Sequence, residues 1–337
     1  MTFPIIGDLA QSVMQRRIAA RAQIDLSRAG TEISTQRIAD APSRLGAAMN
    51  DYSAIERRLT TITAGLNVAR EVLFEAEAGQ AALGMLASTA ERLSAALLGP
   101  ATLAGPAALA LVVKDATHAL EAMTTALNAR VGDRSLFAGT SVDAPAIATA
   151  DEILDLVEAE VILAGAATSA DLIAVVDAFF APGGGFETSA YLGSTASRSS
   201  IELTANQRSG PMPRADDAEL RDALKSTTLA ALLSRNPVSL SYDARVEVAK
   251  AAGVGLLGSG GAIASVRAAV GLTEERASLA QTELATEDAA LRKSRFDLIG
   301  VDPFEAATDL AEAEARLERI YTITARLSRL SLTDFLR

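Results

Sequence analysis

The chain has 337 residues, a formal net charge of −11 at pH 7 and a pI near 4.8. That balance argues against a general nucleic-acid binder, which needs a basic stripe, and against docking on an anionic membrane surface. Cysteine is absent and His118 is the single histidine, which excludes disulfides, thiolate metal sites and cysteine nucleophiles and leaves little imidazole chemistry for metal or acid–base work.

Aromatic residues make up 4 % of the chain with no Trp, while Ala and Leu are abundant. Such a profile suits long helices packed through small and medium side chains better than a bulky globular core. No run of about eighteen apolar residues is present, so the sequence predicts no membrane span. The opening MTFPIIGDLAQ lacks the apolar region of about 7–15 residues that marks a cleaved signal peptide. The chain therefore either stays in the cytosol or leaves by a route that does not use that signal.

Ile5, Ile6 and Leu9 start an apolar edge that continues through Val13, Ile18 and Ile24, and the spacing predicts a helix from about Leu9 to Thr35. Arg16, Arg17 and Arg21 interrupt the stripe, so this helix depends on a partner for its apolar face. Asp40-Ala41-Pro42-Ser43 breaks it, with Pro42 or Ser43 placed to open the next helix. From Arg44 onward Leu45, Tyr52, Leu59, Leu66 and Leu73 fall seven apart, and Ile55, Ile62, Ala69, Ala76, Leu83, Ala90 and Leu97 form the complementary row. A seam sustained over about 55 residues predicts a coiled coil or elongated bundle, a rod of roughly 80 Å. Gly99-Pro100 ends it, and a second helix is expected over about Ala107 to Arg130.

Gly132-Asp133-Arg134-Ser135-Leu136-Phe137-Ala138-Gly139-Thr140 reads as a turn with an extended hairpin. Helical patterns near Asp151–Leu163 and Ala170–Phe180 precede Gly183-Gly184-Gly185. Short alternating runs follow around Phe186–Tyr191 and Ser200–Thr204, and Gly210-Pro211-Met212-Pro213 closes the region. This middle stretch is expected to be a small α+β insertion. Helical periodicity resumes over Asp216–Ser234, and after Asn236-Pro237 a long pattern carries Leu256, Ile263, Val270, Ala277, Leu284, Leu291 and Leu298, again seven apart. Beyond Asp302 the segment has apolar residues at Leu310, Leu317, Ile320, Ile323, Leu327 and Leu330, and then a second apolar group at Leu332, Phe335 and Leu336.

Candidate chemistry is sparse. Gly253-Val254-Gly255-Leu256-Leu257-Gly258 has the dinucleotide-binding spacing G-x-G-x-x-G. That spacing carries its meaning between a strand and a helix of a parallel sheet, and here it follows a helical pattern. A flexible or closely packed Gly-rich segment in a helical rod is the better account. His118, flanked by Asp115 and Glu121, reads as a helix-face residue, since one imidazole without a second is poor metal chemistry. The acidic stretch Glu274–Asp288 interleaves with Arg276 and Arg292 as a solvated face does. No catalytic residue, cofactor-binding residue or metal ligand is assigned, and an enzyme is not expected.

Several segments resemble the bacterial flagellin superfamily. Arg37-Ile38-Ala39-Asp40-Ala41-Pro42 is similar to the superfamily's S-D-D-P type of break, with Ala41 in place of an acidic residue. Gly132–Thr140, followed by Asp143 and Pro145, resembles a G-x-x-x-L-F-x-G-T signature of its hook–filament junction members. Arg267-Ala268-Ala269-Val270-Gly271 resembles an R-x-x-[VI]-G step, Asp302 with Glu305-Ala306 matches the segment before the terminal helix, and Leu330–Leu336 resembles the S-L-x-D/N-[YF]-L ending. The order and spacing of these segments cover nearly the whole chain, most weakly in the middle.

The resemblance implies a mainly α fold, an elongated helical bundle or coiled coil built from both chain halves with a small α+β domain inserted in the middle. On this reading residues 1–40 are an N-terminal assembly helix, 41–140 and 216–300 the two halves of a rod domain, 141–215 the insertion, and 301–337 a C-terminal assembly helix. It implies a structural adaptor of the flagellum joining hook to filament, the alternative being flagellin, the filament subunit. Terminal helices that order on assembly would carry the interface, with Ile5, Ile6, Leu9, Val13 and Ile24 on one side and Leu310, Leu317, Ile320, Leu327, Leu330, Leu332, Phe335 and Leu336 on the other. The implied partners are further copies in a ring, another hook-associated protein, flagellin, and an export chaperone on the C-terminal helix. The implied location is the extracellular flagellum, reached by type III export without cleavage.

Overall fold

The computed structural model describes the backbone of residues 5–335 and the side chains of residues 13–326. Helices dominate: α1 (Ile5–Thr35), α2 (Ala41–Leu45), α3 (Met49–Leu98), α4 (Pro106–Leu127), α5 (Ala150–Ala164), α6 (Ser169–Phe179), α7 (Ala218–Arg235), α8 (Tyr242–Ile299) and α9 (Pro303–Phe335). Two small antiparallel hairpins accompany them, β1 (Arg130–Val131) with β2 (Arg134–Ser135) and β3 (Glu202–Thr204) with β4 (Gln207–Arg208). The contacts divide the chain into one unit formed by residues up to Ala64 together with those from Leu284, and a second formed by Gly65–Glu283.

In the second unit the larger apolar cluster takes side chains from α3, α4, α5, α6, α7 and α8, and a smaller one joins Ala69, Val72, Leu203, Ala277 and Ala280. α7 packs chiefly on α4 and has most of its residues buried. Two of its hydroxyls turn back to the helix backbone, Ser226 Oγ donating to the carbonyl of Asp222 at 3.0 Å and Thr227 Oγ1 to that of Ala223 at 2.8 Å, with Met123 Sδ of α4 also 3.2 Å from Thr227 Oγ1. Bonding back to the helix's own carbonyls lets a polar side chain lie in a helix core. The complementary heptad row of α3 is buried from Ile62 through Ala69, Ala76, Leu83, Ala90 and Leu97. Leu256, Ile263, Val270, Ala277 and Leu284 of α8 are buried in the same manner.

Residues between 141 and 215 share this cluster through Ala146, Ile147, Ile153, Val157, Leu172, Val176, Phe180 and Phe186. Capping boxes start two of its helices: Thr149 with Glu152 opens α5 and Thr168 with Asp171 opens α6. The carboxylates of Glu152 and Asp171 sit below the usual carboxylate range because they accept those capping hydrogen bonds.

Several boundaries differ from those the spacing predicts. α1 begins at Ile5, a turn ahead of Leu9. The long helix does not run unbroken from Arg44: Gly46, at φ +50°, ends α2, and a short 3-10 turn over Gly46–Ala48 leads into α3. α4 stops at Leu127 because the Asn128 amide bonds both backbone groups of Ile147, at 2.9 and 3.0 Å, and Arg130 then enters the hairpin. Phe186–Ala190 is a π-helical turn and not an extended run. Gly184 lies so close to the end of α6 that a Cβ would stand 2.5 Å from the carbonyls of Ala178 and Phe179. The chain doubles back there, and the Tyr191 N–H closes the turn on the carbonyl of Phe186 at 2.7 Å.

Among the described residues one helix, α8, is long and apolar enough by composition to cross a membrane, which the absence of a continuous apolar run does not anticipate. Gly and Ala are frequent in that helix, 28 % of its apolar window is buried, and its Leu256, Ile263 and Val270 lie in the protein core.

Candidate functional site: the paired terminal helices

α1 and α9 pack against each other. On α9, every residue of 303–326 that is not fully exposed falls on one row, Ala306, Leu310, Ala313, Leu317 and Ile320. Their alternating steps of four and three define a coiled-coil seam. Facing them, α1 offers Gln15, Ala19, Ala22, Leu26, Ala29 and Ile33 in the same rhythm, with Ala22 and Ala29 buried. Alanine on one helix opposite Leu and Ile on the other permits close approach but buries modest apolar area.

Polar pairs flank the seam. Gln23 Nε2 donates to the Tyr321 hydroxyl at 2.9 Å, and Arg316 lies 3.6 Å from Asp25. Beside them a cleft of about 470 Å³ is lined by Asp25, Arg28, Glu32, Asp309, Glu312, Arg316 and Arg319, with Ala29 and Ala313 at its floor.

The interface residues expected from the sequence separate into two faces. Leu310, Leu317 and Ile320 are half-buried in the seam. Val13 and Ile24 point away from it, Ile24 with 66 % of its surface exposed, and Met14, Ile18, Phe304 and Ile323 are exposed as well. Ile5, Ile6, Leu9, Leu327, Leu330, Leu332 and Phe335 lie outside the residues whose side chains are described, and Leu336 lies outside the described residues altogether. Sequence reading missed Ala22, Ala29 and Ala306, whose four–three spacing is visible only when alanine counts as a seam residue.

Where α1 and α9 begin and end, the two chain links are sewn together. The Ile38 N–H donates to the carbonyl of Ile299 at 2.9 Å and the Val301 N–H to that of Gln36 at 3.2 Å, with an antiparallel bridge between Arg37 and Gly300. Asp302 caps α9 by accepting from the N–H groups of Phe304 and Glu305 at 2.7 and 3.3 Å. In the same unit Arg58 grips Glu287 bidentately at 2.6 and 2.7 Å, and that hydrogen bond holds the Glu287 carboxyl below its ordinary range.

The other sequence candidates take structural places. Gly253, Gly255 and Gly258 lie inside α8. A Cβ at Gly253 would meet Leu98 at 2.8 Å, and one at Gly255 would meet Ser226 Oγ at 2.3 Å. The first two glycines are therefore positions of close helix approach, and Ser94 Oγ uses the gap to reach the carbonyl of Gly253 at 2.8 Å. His118 is exposed on α4 with Nδ1 3.3 Å from Glu121.

The segment Leu136-Phe137-Ala138 is buried. Phe137 accepts from the Ala215 N–H at 2.9 Å, Ala138 accepts from the Ser194 N–H at 2.9 Å, and the Thr140 N–H donates to Ala196 at 3.0 Å. Arg214 pins the same place through Asp216 at 2.7 Å and the carbonyl of Thr195 at 2.5 Å. Burial pushes the Tyr191 phenol and the Asp217 carboxyl up in pKa, and Tyr191 OH donates to the Ser194 carbonyl at 2.9 Å.

Residues 260–336 match the family model described as the bacterial flagellin C-terminal helical region. No curated protein matches the chain. Among solved structures, a protein from Vibrio parahaemolyticus provisionally described as flagellar hook-associated is similar in fold, with a TM-score of 0.50 and 12 % identity over 76 % of this chain and 99 % of that one. Bacillus cereus FlgL gives a TM-score of 0.50 and 12 % identity over 73 % of this chain and 98 % of its own. Near its C-terminal end the chain is thus similar in sequence to the flagellin C-terminal helical region, and over about three quarters of its length it shares the fold of these two solved structures.

Proposed function

We propose that this protein is a structural subunit of the bacterial flagellum, and within it the adaptor that joins hook to filament. The observation that carries the reading is the α1–α9 pair. Its seam is closed by Ala22, Ala29, Ala306 and Leu310, yet Val13, Met14, Ile18, Ile24, Phe304 and Ile323 remain exposed on its outside. Apolar side chains left outside a closed seam mark a surface for further protein. Neighbouring copies in a ring cover that surface, and another hook-associated protein and flagellin meet the ring on its two sides. An export chaperone holds the C-terminal helix before assembly, and the chain travels to the extracellular flagellum without losing a signal peptide. The role is mechanical and not enzymatic.

Removing Leu330–Arg337 tests this reading. The truncated chain is expected to remain a soluble helical monomer by circular dichroism while a strain carrying it fails to join filament to hook; normal motility would refute the assembly role. The second reading, flagellin itself, rests on the C-terminal match to the flagellin helical region. Long filaments grown from the purified protein alone would favour it, whereas a monomer that adds only to hook ends favours the adaptor.

A further inference from the structure

A carboxylate lies buried where α1 ends. Glu32 is 4 % exposed, and its Oε1 accepts the N–H of Ala39 at 3.0 Å and lies 3.5 Å from Arg44 Nη1. The residues between them, Gln36 to Asp40, are the link from α1 to α2. That link turns through Gln36 at φ +53°, a left-handed conformation unusual outside glycine. It then pairs with the α8–α9 link through the Ile38–Ile299 and Val301–Gln36 hydrogen bonds. A buried carboxylate is costly unless it is paired and hydrogen-bonded, and Glu32 directs both its hydrogen bond and its ion pair across this one turn.

We propose that Glu32 is the positioning residue of the terminal helix pair. By tying Ala39 and Arg44 back to the last turn of α1, it holds the α1–α2 link in the shape that pairs with residues 299–301. The ends of α1 and α9 are fixed to each other by that pairing, and with them the register of the seam from Ala22–Ala29 to Ala306–Leu317. The inference rests on the assembly role proposed above, since it assigns what that surface needs in order to be presented.

The test uses the full chain with Glu32→Ala, Glu32→Gln and Arg44→Ala, and reads two things. The first is the rate of tryptic cleavage after Arg37. Loss of a hydrogen bond to a charged buried acceptor is expected to raise opening of the link, and so cleavage, roughly tenfold in Glu32→Ala. Glu32→Gln keeps an oxygen for the Ala39 N–H and is expected within about threefold of wild type. Should Glu32→Ala lose its helical circular dichroism, Arg44→Ala, which removes the ion pair alone, carries the comparison with a smaller rise.

The second readout is co-sedimentation with isolated hooks, expected to fall in Glu32→Ala and to be restored in Glu32→Gln although no seam residue has changed. Cleavage at the wild-type rate in both Glu32→Ala and Arg44→Ala overturns the proposal. Faster cleavage with undiminished co-sedimentation overturns it too. If wild-type protein does not bind hooks, the adaptor reading fails by itself, and the cleavage rates still decide the role of Glu32.

Discussion

Gly139 shows how much one position can hold. It sits at φ +61°, and a Cβ there would stand 2.4 Å from the Ser194 carbonyl and 2.6 Å from that of Ala196. Both contacts are with backbone, which cannot swing aside. Gly139→Ala is therefore expected to cost about 2–4 kcal/mol, from left-handed strain together with displacement of the 194–196 strap. Urea unfolding measures this, and a loss below about 1 kcal/mol would show that the strap is free to move. The glycine was legible in the sequence as part of L-F-x-G-T, but its reason was not, because the strap that crowds it comes from residues more than fifty positions away. Gly253 and Gly255 teach the converse. Their spacing has the look of phosphate chemistry, while their surroundings are Leu97, Leu98 and Ser226, so what the glycines admit is another helix.

At the scale of elements, heptad spacing carried the most information. Leu256, Ile263, Val270 and Ala277 fall seven apart and are all buried, whereas Leu257, one residue off the row, is 68 % exposed. Ile263→Ala is expected to destabilise the protein by about 2–5 kcal/mol, as for other large-to-small changes in a closed core. Leu257→Ala should stay within about 0.5 kcal/mol. Paired thermal melts of the two variants check the assignment, and equal shifts would mean that the seam is misplaced.

Period alone could not reveal the α1–α9 seam so readily. Ala carries little apolar weight, so the exposed Val13, Ile18 and Ile24 outweighed the buried Ala22 and Ala29 in the sequence pattern. Nor could period reveal that Phe186–Ala190 winds into a π-helical turn. That turn follows on Gly184, which folds against the carbonyls at the end of α6.

At the scale of the whole molecule, core is distributed unevenly between the two units. Among the described residues, the buried apolar side chains of the unit formed by the chain ends are Ala22, Ala29, Leu59, Ile62, Leu284, Ile299 and Ala306. The unit from Gly65 to Glu283 holds the large cluster, including Phe137, Phe186, Met123 and the whole inner face of α7. Three of the seven in the first unit are alanines, each contributing a single methyl, so its ordering gains little from burial against about 1–2 kcal/mol of backbone entropy per residue. Stability should therefore reside in Gly65–Glu283, a continuous stretch of chain. Expressed alone, residues 65–283 are expected to fold and to melt cooperatively, and partial digestion of the full protein is expected to trim it towards the same fragment. A fragment that aggregates or melts without cooperativity would show that the terminal helices are needed for its core. If it folds and does not bind hooks, stability and assembly belong to different parts of one chain. The terminal pair would then be free to rearrange on joining its neighbours without endangering the fold that carries it.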